Sequence, residues 1–235
     1  MILLKSKIYN YIFIAFIVVS LIGCIFIGIL TKKSYVNDTD INLLNKNSKK
    51  LNVAIEPVRK NYFNTNIKNY DDLSNSSDYI LKVKTTNDRK NLNKTLLTKC
   101  EVIKTYKSKN SNKVKKYIYI YEPSTVFIHY DLFLSAGGYV YMKPSNEYYV
   151  FLKDLKLPKG YRSSSLEKDS FMYTNPEFSK FNASNDDITA VYNKKDFDTG
   201  KIKYFDIKDY DKIFTSLDEK QVYTDFKQHI KSNYD

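Results

Sequence analysis

The side chains able to do chemistry are few, and their spacing does not favour it. Two histidines, His129 and His229, and two cysteines, Cys24 and Cys100, are the whole stock of soft ligands. Zinc takes three or four convergent ligands, and catalytic zinc commonly uses two or three histidines. No spacing here marks such a site. Cys100 with His129 would make a nucleophile and base if the fold joined them. Cys100, however, lies in an alternating apolar run, where a thiol ordinarily serves as packing. Ser135, His129 and Asp131 are close in sequence but lack the G-x-S-x-G turn that presents a serine nucleophile. No phosphate-cradling loop or dinucleotide fingerprint occurs, and Gly137-Gly138 reads as a turn pair. The acidic pairs Asp71-Asp72 and Asp186-Asp187 lack the spaced oxygen ligands of a calcium loop. The sequence assigns no catalytic residue, no cofactor and no metal, so the expectation is a protein that is not an enzyme.

A binding surface is the better candidate. Lys107, Lys109, Lys113, Lys115 and Lys116 lead into Tyr117, Tyr119 and Tyr121, which alternate with isoleucine. Lysines beside aromatics on one strand face suit a polyanion or single-stranded nucleic acid. The plainer reading of the same residues is a solvated hairpin tip. The net charge of +12 is carried almost wholly by lysine; Arg59, Arg89 and Arg162 are the only arginines. Surfaces that grip phosphate often use arginine, whose planar fork binds oxyanions bidentately. Lysine together with abundant Asn, Ile, Tyr and Phe is also what an AT-rich genome encodes. Nucleic acid is therefore not the expected partner. An anionic envelope polymer or another membrane protein is.

The elements that would carry this surface begin with an anchor. Residues 8–31 contain no charged side chain, and about twenty apolar residues suffice to cross a bilayer as a helix. Tyr9 and Tyr11 fall at one interface, and Lys32 and Lys33 end the run. Membrane lipid is the expected partner of this segment. No small-residue cleavage site follows it, which argues against a removable signal peptide. Leu21-Ile22-Gly23-Cys24 resembles a lipobox, making Cys24 a candidate for lipidation. The apolar Ile25–Leu30 stretch that follows favours Cys24 as one more helix residue. The count of flanking lysines, taken literally, favours a cytoplasmic domain, but that rule applies best to short loops, and a short basic head before an apolar run is the signal-anchor arrangement. The expectation is a single-pass protein of the cell membrane with its soluble domain outside.

With 43% hydrophobic and 27% charged residues the rest of the chain is not a disordered composition. The expected fold class is α+β, mainly β. Residues 1–33 are read as basic tail and anchor, 34–75 as a polar, partly helical stalk, 76–156 as a strand-rich domain and 157–235 as an α/β extension. Strand signals fall at 79–85, 92–106, 117–121, 126–128, 139–142 and 148–152, with a bulge needed in the second to keep phase. A short helix is expected at 71–75 and a hairpin from 188–192 and 200–207. Ser216-Leu217-Asp218-Glu219 is a capping-box pattern ahead of Val222, Phe226 and Ile230, an amphipathic helix running to about Tyr234.

The strings Ser77–Val83, Val102–Lys107, Tyr119–Pro123, Gly138–Lys143 and Glu147–Leu152 resemble a group of uncharacterised extracellular proteins of Gram-positive bacteria. Their central region is similar in outline to an OB-like five-stranded barrel of the netrin-inhibitor type. The resemblance covers about residues 71–156 and brings no active site with it. Val83 stands where a glycine often follows the first strand's apolar pair. What it implies is an OB-like barrel and a cell-surface location. The functional expectation is a membrane-anchored, non-enzymatic binding or accessory module. An envelope enzyme with an unrecognised site, or a structural subunit of a membrane complex, are the alternatives.

Overall fold

The computed structural model describes residues 2–34, 41–92, 95–109, 114–184 and 188–234. Lys113 and the pair Asp186-Asp187 lie outside the described residues. The chain divides into two compact units, residues 1–37 and 38–235.

The first unit is a single helix, α1 (Ile2–Ser34). Its segment Tyr11–Thr31 has a mean hydropathy of 3.0 over 21 residues, none of it buried. At 1.5 Å per residue the segment is about 30 Å long, the thickness of a hydrocarbon core. The helix is long and apolar enough to span a membrane, and Cys24 is exposed on its surface. Thr31 Oγ1 donates to the Ile27 carbonyl at 2.8 Å, so this hydroxyl is satisfied within the helix.

The second unit is a mixed α+β structure dominated by sheet. Its elements are α2 (Ile41–Asn47), β1 (Asn52–Glu56), α3 (Tyr70–Ser76), β2 (Tyr79–Asn91), β3 (Leu96–Lys107) and β4 (Tyr117–Glu122). Then come β5 (Thr125–Phe127), β6 (Leu132–Ala136), β7 (Glu147–Asp154), α4 (Ser165–Lys168), β8 (Ser170–Tyr173) and β9 (Lys180–Asn182). The chain ends with β10 (Thr189–Val191), α5 (Lys194–Asp198), α6 (Tyr204–Ile207), β11 (Lys212–Phe214) and α7 (Leu217–Tyr234).

The main sheet is ordered β2-β3-β4-β8-β7-β9, and β7 also pairs with β2. Pairing thus runs from β2 through β3, β4, β8 and β7 and returns to β2. All contacts in this circuit are antiparallel except β4 with β8, which is parallel. The β2–β3 register slips at three places, between Ile80 and Leu81, between Lys82 and Val83, and between Thr85 and Arg89. Such bulges sharpen strand twist and bend.

Strand β7 shows why its middle, Tyr148–Leu152, has no polar position in the alternation. Tyr148, Val150 and Leu152 enter one core with Leu81, Val83, Cys100, Ile118, Ile120 and Tyr173. Tyr149 and Phe151 point the other way, into a second core with Phe181, Tyr223, Phe226 and Ile230. A strand covered on both faces has no solvated side on which to place polar residues. Helix α7 supplies the outer cover. Ser216 Oγ accepts from the Glu219 amide at 3.2 Å, one half of the expected capping box, while the Glu219 carboxylate returns to the Thr215 amide at 3.0 Å. Of the expected stripe Phe226 and Ile230 are buried and Val222 partly so, with Tyr223 buried beside them.

Four expectations are corrected. Residues 41–75 are not a stalk. Leu44, Leu51, Val53, Ile67 and Leu73 are buried in the second unit, and β1 pairs in parallel with β6. The boundary at 156/157 divides nothing, because β8 closes the pairing circuit between β4 and β7. No hairpin joins 188–192 to 200–207. β10 pairs in parallel with β11, and Tyr204–Ile207 is helical. Each of these three corrections involves one parallel contact, β1–β6, β4–β8 or β10–β11, and parallel strands carry no turn signal linking them in sequence. Residues 139–142 are also not a strand; the preceding Leu132–Ala136 is.

Candidate functional site

The strand β4 carries the surface that the sequence singles out. Ile118 and Ile120 turn into the core, which leaves Tyr117, Tyr119 and Tyr121 on the outer face. Tyr117 is 43% exposed, and Tyr119 and Tyr121 are half-buried. At about 6.7 Å for every second strand residue, the three rings form a row some 13 Å long. The row continues toward the β7–α4 loop. Tyr161 is exposed there, its hydroxyl donates to Glu167 Oε1 at 2.9 Å, and the Glu167 charge pushes the Tyr121 phenol up after partial burial has done so.

The lysines of this face are balanced by acids. Lys115 pairs with Asp169 at 2.8 Å, Lys116 with Glu101 at 3.3 Å and Lys99 with Asp88 at 3.7 Å. The Lys99 and Lys116 ammonium groups also lie 5.2 Å and 5.5 Å from the Tyr117 ring centroid. Exposed pairs of this kind contribute little to stability. They do cancel the field that a polyanion would need.

A second feature had no sequence signal. A cavity of about 550 Å³ opens between β1, the Gly137-Gly138 turn, the Glu177–Phe178 segment, α5 and β11. Its apolar wall includes Ile55, Phe178, Phe197 and Phe214, and its polar groups include Glu56, Glu177, Asp198, Glu219 and Lys212. Lys212 is 2% exposed, and its Nζ donates to the carbonyls of Gly137 and of Pro176, the latter at 3.5 Å. Burial pulls its pKa down from 10.5 to about 7, against the opposing charge of Glu177. Burial conversely pushes the Glu177 carboxyl up. A Cβ on Gly137 would sit 2.7 Å from Glu177 Cγ, so only glycine lets this side chain lie over the turn beside Lys212.

The lysine makes stability depend on pH in a calculable direction. Its folded pKa is below its unfolded value, so the unfolded chain holds the extra proton between about pH 7 and 10.5. Stability rises with pH through that window, and the penalty is full below pH 7. Relative to Lys212→Met, the wild type should gain up to about 1.4 kcal/mol per pH unit there. Urea midpoints of the two proteins at about pH 7 and about pH 9.5 check this, with a pH-independent difference as the contrary result.

The other constellations are not assembled. Cys100 is buried, with its Sγ 3.9 Å from the Thr98 carbonyl, and burial pushes the thiol far above its ordinary pKa. Ser135 is buried and donates to the Tyr139 carbonyl at 3.0 Å, whereas His129 and Asp131 are exposed. His229 lies on α7 with its ring 4.4 Å from that of Tyr70. Among the described residues no group of three or more His, Cys, Asp and Glu is placed to hold a metal ion. Comparison with protein-family models, with curated proteins and with solved structures finds no match for this chain.

Proposed function

We propose that the protein is a membrane-tethered, non-enzymatic binding module whose outer β3–β4 face takes a glycan of the cell envelope. The reading treats the circuit β2-β3-β4-β8-β7 as an OB-like barrel. Its support is the pairing order, with one parallel contact between the third and last strands of the circuit in sequence. In OB-folds the face of the second and third strands binds oligosaccharides and oligonucleotides, and here those strands are β3 and β4. The observation that carries the reading is the outward row Tyr117, Tyr119 and Tyr121 at that place. Aromatic faces stack on flat apolar surfaces. The lysine–acid pairing of the same face favours ring stacking over charge as the source of affinity. The apolar helix Tyr11–Thr31 tethers the module with its domain outside the cell, where such polymers are found.

The test is binding of the full-length protein, in lipid nanodiscs, to wall polysaccharide isolated from a Gram-positive bacterium. Tyr119→Ala should weaken binding roughly tenfold, equivalent to about 1.4 kcal/mol. Raising salt should change it little. A steep fall with salt would instead identify a polyanion held by charge, and retention of full affinity by Tyr119→Ala would refute the face.

A further inference from the structure

We infer that the cavity beneath β11 is a binding site for a zwitterionic α-amino acid with an apolar side chain, independent of the tyrosine face. The argument starts from which groups are already committed. Glu56 is paired with Arg59 at 3.0 Å, and Glu219 accepts from the Thr215 amide at 3.0 Å. Two polar groups deeper in the wall are held differently. Lys212 has three N–H donors, of which two go to the backbone carbonyls of Gly137 and Pro176. Glu177 lies against the Gly137 turn, on the same wall, and influences Lys212 through its field.

Lys212 is buried and Glu177 half-buried, and although their charges attract each other neither has an ion-pair partner within 4.0 Å among the described residues. A buried cation gains from an anion beside it, and a half-buried carboxylate gains from a cation. A ligand carrying one charge only would satisfy one group and oppose the other. A ligand carrying both, an α-carboxylate toward Lys212 and an α-ammonium toward Glu177, satisfies the two together. The exposed Lys194 and Asp198 also line the cavity and oppose each other in charge, so the two buried or half-buried groups decide the selectivity. The remaining wall, with Ile55, Phe178, Phe197 and Phe214, offers apolar surface for a branched or aromatic side chain. The volume is within the range of about 300–1,000 Å³ typical of small-molecule sites.

The experiment is calorimetric titration of the full-length protein in detergent with three probes at neutral pH. Leucine carries both charges, isopentylamine only the ammonium and 4-methylpentanoate only the carboxylate. Leucine should bind with a Kd of about 1 mM or tighter, and each single-charge probe should bind at least roughly tenfold more weakly. Glu177→Gln, a half-buried and nearly isosteric change, should weaken leucine at least roughly tenfold while the thermal midpoint stays close to wild type. Tyr119→Ala should leave leucine binding unchanged, which separates this site from the glycan face. Equal binding of leucine and either single-charge probe would overturn the inference. So would the absence of any leucine heat, or full leucine affinity in Glu177→Gln.

Discussion

Gly138→Ala should destabilise the domain by about 3–5 kcal/mol, enough to remove much of the stability a fold of this size possesses. Gly138 has φ +77°, and an added Cβ would stand 2.0 Å from the backbone oxygen of Ile213. That atom belongs to a strand, not to the end of a flexible side chain, so the turn or β11 has to move. Moving either breaks the bond from the Ile213 amide to the Gly138 carbonyl, 3.1 Å long, and the bridge between Tyr139 and Lys212. Gly160 provides the control. Its φ is +82° and nothing lies within 4 Å of its Cβ position. Gly160→Ala should therefore cost only the left-handed backbone strain, about 1–2 kcal/mol. Urea unfolding of both variants, as full-length protein in detergent, measures the difference. Equal losses would mean that the approach of β11 to the glycine turn does not matter.

Glu122→Ala should produce a loss of similar size, about 3–5 kcal/mol. Glu122 is 0% exposed at the end of β4. One carboxylate oxygen accepts from the Thr98 hydroxyl, and the other accepts from the Tyr139 hydroxyl at 2.8 Å and the Met142 amide at 2.7 Å. The Tyr173 hydroxyl lies 2.9 Å from that of Tyr139 and joins the same network. Removing the carboxylate strands three donors in the core at once. Burial and the Glu122 charge together push the Tyr139 phenol well above its usual pKa, so it stays protonated and continues to donate. Glu122→Gln keeps the shape but turns an N–H toward at least one existing donor, and should lose about half as much. If Glu122→Ala costs less than about 1 kcal/mol, the carboxylate is not the hub of this network.

What the sequence makes legible divides by range. The membrane-length helix, the short helix at 70–76, the strands 79–91, 96–107, 117–122 and 147–154 and the capped terminal helix all announce themselves through local period or capping residues. The outward tyrosine row is legible for the same reason, since alternation with isoleucine fixes which face each ring takes. The parallel contacts β1–β6, β4–β8 and β10–β11 are not, because their partners are far apart and no turn joins them. The cavity is invisible for a related cause. Glu56, Gly137, Glu177 and Lys212 come from four separate segments, and Lys212, beside Asp211 and Ile213, reads as any surface lysine. Only the fold reveals that its ammonium is enclosed. Glu122 is similar: a glutamate before proline reads as a strand end, and its three donors lie 17 to 24 residues away.

The parallel seam between β4 and β8 has a bearing on biosynthesis. Until Ser170–Tyr173 has emerged, β4 and β7 each keep an edge of unpaired amides and carbonyls. A chain delivered in order from the ribosome therefore passes through a stage with most of its sheet made and its seam open. Contacts between distant segments are slow to form, so closure of this seam comes late in assembly of the sheet.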